Sequence, residues 1–270
     1  MRRLLPTSPD VTDLTTLEAL AEVYAYPPTT AAGPGPDGAQ RPGTPWLRGN
    51  MVTSTDGASR LDGLSEGLSS SADKRIFGVL RALADVVLVG AGTVRAEGYR
   101  PARARPAFAA ERAARGQGPA PVIAVVSARL DLDLTLPLFT EPAAGAASAR
   151  TAIVTCANAP AEALKAAAGV ADVVIAGEEL VDPAVAVAAL AERGWTRQLT
   201  EGGPSLLGQF AAAGVLDELC LSIAPLLVAG DSQRIAHGPT ALAEQLELAA
   251  LLEEKGFLFA RYTRSVTNAA

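Results

Sequence analysis

Four short apolar runs constrain this chain more than any other feature in it. They are Asp85-Val86-Val87-Leu88-Val89, Val122-Ile123-Ala124-Val125-Val126-Ser127, Thr151-Ala152-Ile153-Val154-Thr155 and Asp172-Val173-Val174-Ile175. Each is rich in β-branched residues and apolar at consecutive positions. A strand turns alternate side chains to opposite faces, so such a run suits a strand covered on both sides. Segments with helical spacing alternate with them, at about 70–84, 158–168, 182–193 and 203–214. That alternation implies a parallel sheet with helices on both faces. Leu216–Ala224 and roughly 246–264 add two or three strands with no helical period between them, which reads as an antiparallel edge. The expected class is α/β: three layers, α/β/α, with a mostly parallel central sheet and antiparallel C-terminal strands.

The beginning of the chain is different. Leu14, Leu17, Leu20, Ala21 and Tyr24 recur at helical spacing after a cap expected at Asp10 or Thr12. Pro27 to Pro45 is dense in Pro and Gly and reads as an exposed tether. Residues 1–45 are therefore expected to form an N-terminal helix and tether, ahead of one domain at 46–266. Residues 100–120, rich in Arg, Ala and Pro, read as a solvated excursion.

Composition removes several function classes. With 270 residues, 49% of them hydrophobic, the chain can bury a full core. A net charge of −6 argues against a nucleic-acid partner, which needs a basic stripe. No apolar run reaches the roughly 18–20 residues of a membrane span, and no signal peptide is legible. Cys156, Cys220 and the single histidine, His237, cannot supply a metal site. Two distant cysteines suggest no disulfide framework, so a cytoplasmic location is expected.

In a parallel α/β sheet, ligands gather at the carboxyl ends of the strands. Two such ends here are rich in glycine and lead into helices. The first is Val89-Gly90-Ala91-Gly92-Thr93-Val94. Glycine admits a phosphate close to the backbone, a helix start offers unpaired N–H groups, and Thr93 adds a hydroxyl. The Rossmann fingerprint is excluded, because its third glycine position is Arg95. The second is Thr200-Glu201-Gly202-Gly203-Pro204-Ser205-Leu206: an acid, two glycines, then a proline where a helix begins. Ser205 can donate to an anion there. A third segment, Asn50-Met51-Val52-Thr53-Ser54-Thr55-Asp56-Gly57, reads as a strand ending in a polar turn.

Together and in this order, these segments resemble the reductase domain of riboflavin biosynthesis, the pyrimidine reductase half of a bifunctional deaminase-reductase with a dihydrofolate reductase-like fold. Leu216-Asp217-Glu218-Leu219 running to Ala224-Pro225-Leu226-Leu227 is a fourth matching motif. The resemblance covers about residues 46–264. It implies an NADPH-dependent enzyme that reduces the ribosyl group of an aminopyrimidine phosphoribosylamine to a ribityl chain, and it implies a homodimer. It places Gly90, Ala91, Thr93, Val94, Glu201, Gly202, Gly203, Ser205 and Leu206 around the cofactor, with Thr53 near the nicotinamide. Ser127 and Thr155 would contact the adenosine side, with Arg129 as a partner for the 2′-phosphate. Asp56 and Glu97 are the expected catalytic carboxylates on the substrate side.

Two positions depart from the family pattern. Lys usually follows the Asp-Gly pair, where this chain has Ala58; Asp usually stands where it has Glu97. Both lie on the substrate side in the family, so the substrate is left open. A dihydrofolate reductase or other pterin or pyrimidine reductase on the same fold is the alternative, as is a non-catalytic NADP-binding module. The deaminase half is absent, since its zinc set needs His-x-Glu and Cys-x-x-Cys spacing. The arginines at 95, 100, 103 and 105 form a local basic cluster, read here as a solvated face.

Overall fold

The structure is a computed structural model and describes residues 1–7, 14, 16–30, 33–34, 40–41, 43–142 and 150–265. In chain order, β1 (Arg2–Leu5) precedes α1 (Leu17–Val23), the short pair β2 (Gly33–Pro34) and β3 (Gln40–Arg41), and β4 (Trp46–Ser54). Next come α2 (Ser71–Leu83), β5 (Val86–Gly90), α3 (Ala91–Glu97), α4 (Ala109–Ala114), β6 (Val122–Val126) and α5 (Pro137–Thr140). The chain continues with β7 (Ala152–Thr155), α6 (Ala161–Val170), β8 (Asp172–Ile175), α7 (Pro183–Ala191), β9 (Arg197–Thr200) and α8 (Pro204–Ala212). It closes with β10 (Glu218–Ala224), β11 (Leu246–Glu254) and β12 (Phe257–Arg264).

Contacts divide the chain into two compact units. Unit 1 comprises residues 1–25, 48–80 and 201–270; unit 2 comprises 26–47 and 81–200.

Unit 2 holds the parallel strands that the apolar runs predict. β9, β5, β6, β7 and β8 lie side by side in that order, all parallel. Val86, Val87, Leu88 and Val89 of β5 are all buried, as are Val122 to Val125 of β6. α7 starts as its sequence dictates: the Asp182 carboxylate accepts from the Ala184 and Val185 N–H groups, and Pro183 takes the first helical position. The excursion expected at 100–120 is only partly solvated. It contains α4, and Arg112 on that helix is buried at 2% exposure. The Arg112 guanidinium donates to the carbonyls of Ala82, Ala84 and Gly118, each at 2.7 Å. Burial is the main reason its pKa falls to about 10. Sequence read it as a surface charge because nothing local reveals the helix-end carbonyls it serves.

Unit 1 holds the antiparallel part. Its strands run β1, β11, β12, β10, β4, with only the β10–β4 pair parallel. β11 and β12 form a hairpin through Lys255 (φ +53) and Gly256 (φ +84), the pair of positive φ values of a type I′ turn. On β10 the buried positions alternate: Glu218, Cys220, Ser222 and Ala224.

The division expected at residue 45 does not match these contacts. β1 is a strand of unit 1, paired with β11 through Arg2↔Glu253 and Arg3↔Leu252. α1 is shorter than expected and is capped by Thr16, whose Oγ1 accepts from Ala19 N–H at 3.1 Å. The expected caps Asp10 and Thr12 lie outside the described residues. Leu14, Leu20 and Tyr24 are at or below 1% exposure, so this segment belongs to the unit 1 core. Tyr26, just before the expected tether, and Thr30 within it are both held in unit 2: the Tyr26 hydroxyl donates to Gln198 O at 3.1 Å and Thr196 Oγ1 to Thr30 O at 2.5 Å. Pro and Gly content signals an irregular path, and such a path is still held wherever its carbonyls find donors.

Candidate active site

The expected residues are divided between the two units, many of them at or just beyond the ends of strands. In unit 2, β5 ends at Gly90, which is the N-cap of α3 and carries no side-chain cap. The first N–H groups of a helix have no intrahelical acceptor, so this turn presents open donors. A Cβ added to Gly92 would meet nothing within 4 Å. The space above that glycine is thus not filled by the protein. Thr93 is half-buried and Val94 is buried at 1% exposure. Glu97 is the last residue of α3, half-buried, and the helix stops at Gly98 in the left-handed conformation, φ +63.

Ser127 stands at the end of β6, 8% exposed, with its N–H bonded to Val154 O at 3.0 Å. Arg129, two residues on, is exposed. Thr155 is fully buried, and its hydroxyl faces Ala128 O at 3.5 Å, joining two strand ends. The arginine cluster is a solvated face: Arg95 pairs with Asp131 at 3.7 Å and Arg100 with Glu141, with both arginines about half exposed.

In unit 1 the Glu201-Gly202-Gly203-Pro204 turn precedes α8. Glu201 is buried at 9% exposure. The Gly202–Gly203 peptide is cis, and Gly202 has φ +83, a conformation that favours glycine. A Cβ on Gly202 would lie 3.2 Å from the Met51 sulfur on β4. Gly203 is the N-cap of α8 without a side-chain cap, and Pro204 takes the first helical position, as its missing N–H permits. Ser205 is exposed at the second helical position, while Leu206 is buried at 7% exposure.

The turn after β4 is closely bonded. Ser54 N–H donates to Ala58 O at 2.9 Å, and Ala58 N–H donates to Ser54 Oγ at 2.9 Å. Thr53 Oγ1 donates to Ala58 O at 3.2 Å, and Gly57 adopts φ +90. Ala58, where the family pattern has Lys, is buried at 5% exposure, so no charge stands there. Asp56 is exposed, yet its carboxylate is occupied. It accepts from the Ser54 hydroxyl and from the N–H groups of Val228 (3.2 Å) and Ala229 (2.7 Å). These bonds, the Ser54 one foremost, hold its pKa at about 2. Reasoning from sequence missed this partner loop, although the Ala224-Pro225-Leu226-Leu227 motif was its signal.

Among the described residues no helix is long and apolar enough to cross a membrane, and no group of three or more His, Cys, Asp or Glu side chains is placed to hold a metal ion. Both cysteines are free and buried.

Parallel and antiparallel strands alternating with helices, with two glycine turns and a polar turn at strand ends, define an α/β protein of the pyrimidine reductase-like class. Within that class the chain belongs to the RibD C-terminal domain family, whose model matches residues 45–254. It is 28% identical over 223 residues to the 2,5-diamino-6-ribosylamino-4(3H)-pyrimidinone 5′-phosphate reductase of Archaeoglobus fulgidus, covering 82% of this chain and 99% of that protein. It is 30% identical over 192 residues to the riboflavin biosynthesis protein RibD of Mycobacterium tuberculosis, covering 71% of this chain and 45% of that longer protein. A crystal structure of a pyrimidine reductase-like protein from Corynebacterium diphtheriae superposes with a TM-score of 0.73 at 26% identity, covering 82% of this chain and 92% of that one.

Proposed function

We propose that this protein is the NADPH-dependent reductase that converts the ribosyl group of an aminopyrimidine ribosylamine phosphate to a ribityl chain. The observation that carries this reading is the match to the archaeal reductase over 99% of that protein's length, spanning the two glycine turns and the polar turn. A cytoplasmic homodimer fits the two buried, unpaired thiols and the family resemblance.

The residues fit a dinucleotide phosphate. The uncapped start of α3 with open space over Gly92, and the uncapped start of α8 with exposed Ser205, are suited to phosphate oxygens. In unit 2, Gly90, Ala91 and Thr93 would hold cofactor phosphate, with Ser127 and the exposed Arg129 toward its adenosine end; in unit 1, the family resemblance assigns Gly202, Gly203 and Ser205 to cofactor binding. Thr155, beside Ser127 in the sequence-based set, would reach that end only from within the strand layer. When bound, the cofactor supplies a hydride to the ribosyl carbon.

The chain's own residues then have limited work: to orient the pyrimidine, exclude water and stabilise charge. Glu97, half-buried at the end of α3, is the substrate-side carboxylate. It accepts from the amino groups of the pyrimidine or relays the proton that opens the sugar ring. Following NADPH oxidation by absorbance with the aminopyrimidine ribosylamine phosphate, and separately with dihydrofolate, tests the reading. Turnover of the first substrate supports it. Turnover of dihydrofolate alone moves the protein to a pterin reductase, and NADPH binding without turnover of either makes it a binding module.

A further inference from the structure

Two loops of unit 1 leave the carboxyl ends of neighbouring parallel strands. Residues 54–60 follow β4 and residues 225–233 follow β10, with Ala224 in register with Ser54. Hydrogen bonds join the loops along their length. The Thr55 N–H and hydroxyl both donate to Leu226 O, at 2.9 and 2.6 Å. Ser59 N–H donates to Gln233 O at 2.9 Å, and the Ser232 hydroxyl donates to Arg60 O at 3.1 Å. Asp56 stands at the centre. Its Oδ1 accepts from Val228 N–H and its Oδ2 from Ala229 N–H.

Successive backbone N–H groups converging on one anion form a small concave anion site. Here the anion is the protein's own carboxylate. Ala229 is held at φ +57 and Gly230 at φ +74. A left-handed alanine is unfavourable, and charge-assisted bonds to Asp56 offset it. The result is a fixed loop whose tip holds Leu226 and Leu227 in solvent, 39% and 82% exposed. Large apolar side chains held out at the ligand-bearing end of a sheet are suited to a flat ring.

We infer that Asp56 is a positioning residue: its carboxylate sets the 226–230 loop, and Leu226 and Leu227 on that loop form the apolar wall against which the pyrimidine rests. This rests on the reductase reading above. Asp56 is unsuited to proton transfer, because the three donors that stabilise its anion leave it with little proton affinity at neutral pH.

The test combines hydrogen-exchange mass spectrometry with steady-state kinetics on the full chain, using Asp56→Ala, Asp56→Asn, Thr55→Val and Leu227→Ala. In Asp56→Ala, exchange of the peptide containing Val228 and Ala229 rises by about tenfold or more. The KM for the aminopyrimidine rises about tenfold, with kcat within about twofold and NADPH affinity unchanged. Asp56→Asn retains one acceptor oxygen and lies between wild type and Ala. Thr55→Val loosens the same loop with the carboxylate intact and shifts KM in the same direction. Leu227→Ala raises KM without changing exchange. A fall in kcat with exchange at 226–230 unchanged makes Asp56 a catalytic group and overturns the inference. An unchanged KM in both Thr55→Val and Leu227→Ala overturns the wall. A wild-type protein that turns over no aminopyrimidine overturns the reductase reading and the wall together, and the exchange measurement still decides the clamp.

Discussion

Arg48 and Glu218 face each other on the parallel strands β4 and β10, Nε to Oε1 at 2.7 Å, with neither side chain exposed to solvent. Arg261 on β12 joins from the other side, its Nε 2.8 Å from the same oxygen, and also donates to Val23 O. Arg48 Nη2 reaches Ala25 O at 3.5 Å. One buried carboxylate thus binds three strands and the end of the N-terminal segment into the unit 1 core. Tyr24 and Cys220 lie close by, and burial pushes both of their pKa values up.

Burying a charge is costly unless it is paired, and removing one partner leaves that cost exposed. Arg48→Met is therefore expected to destabilise the protein by about 3 kcal/mol, and Arg48→Met with Glu218→Leu to recover most of the loss. Chemical denaturation of the two variants beside wild type measures this. A single variant as stable as wild type would show that Arg261 alone neutralises Glu218.

The same pair sets an acid response. Burial by itself raises the Glu218 pKa; Arg48 and Arg261 outweigh it and bring the pKa down to about 2, from an ordinary value of 4.5. A carboxylate depressed in the folded state contributes stability above its unfolded pKa and loses it as pH falls through the folded pKa. The contribution of Glu218 is thus lost between pH 4.5 and about 2. Denaturation midpoints measured across that range should fall more steeply in wild type than in the double variant, and parallel slopes would contradict the assignment.

Gly92 separates folding from binding. A methyl group there meets no protein atom within 4 Å, and alanine is favoured over glycine in a helix by about 0.5–1 kcal/mol. Gly92→Ala is expected to keep or slightly raise the melting temperature. It should weaken NADPH binding several-fold, about 1 kcal/mol or more, if a phosphate rests on that backbone. Calorimetric titration with NADPH decides; unchanged affinity removes Gly92 from the cofactor site.

Gly208 behaves in the opposite way. A Cβ there would lie 2.2 Å from the backbone oxygen of His237, whose N–H donates to Pro204 O at 3.0 Å. Gly208→Ala must push the 237 segment off α8, at a cost of about 1–3 kcal/mol. Thermal unfolding reports the loss, and a melting temperature equal to that of wild type would mean that the segment yields freely.

Glu97→Gln keeps the shape and removes the charge. Turnover should fall by about tenfold to a hundredfold or more, the scale of a lost general acid or base, while NADPH affinity holds. Full activity in this variant would take Glu97 out of the mechanism.

Much of this was legible before the fold was known. The helices at 71–83, 183–191 and 204–212 and the strands β5 to β8 lie where apolar period and cap chemistry put them. Both glycine turns fall at strand ends, where the chain passes directly into a helix. The N-terminal segment and Arg112 were misjudged for one shared reason. Their partners, β11 for β1 and the carbonyls of Ala82 and Ala84 for Arg112, are remote in sequence or carry no side-chain signature.

The polar turn shows where that limit lies. Its residues alone mark Thr53–Gly57 as a polar turn, and they determine the tight geometry at Gly57. They do not say what the Asp56 carboxylate meets. A side chain's chemistry is local, but its hydrogen-bond partners are set by which strands become neighbours. Only the pairing of β4 with β10 brings the N–H groups of Val228 and Ala229, 172 and 173 residues away, onto Asp56. That tertiary contact turned a carboxylate expected to act on substrate into one that holds a loop in place.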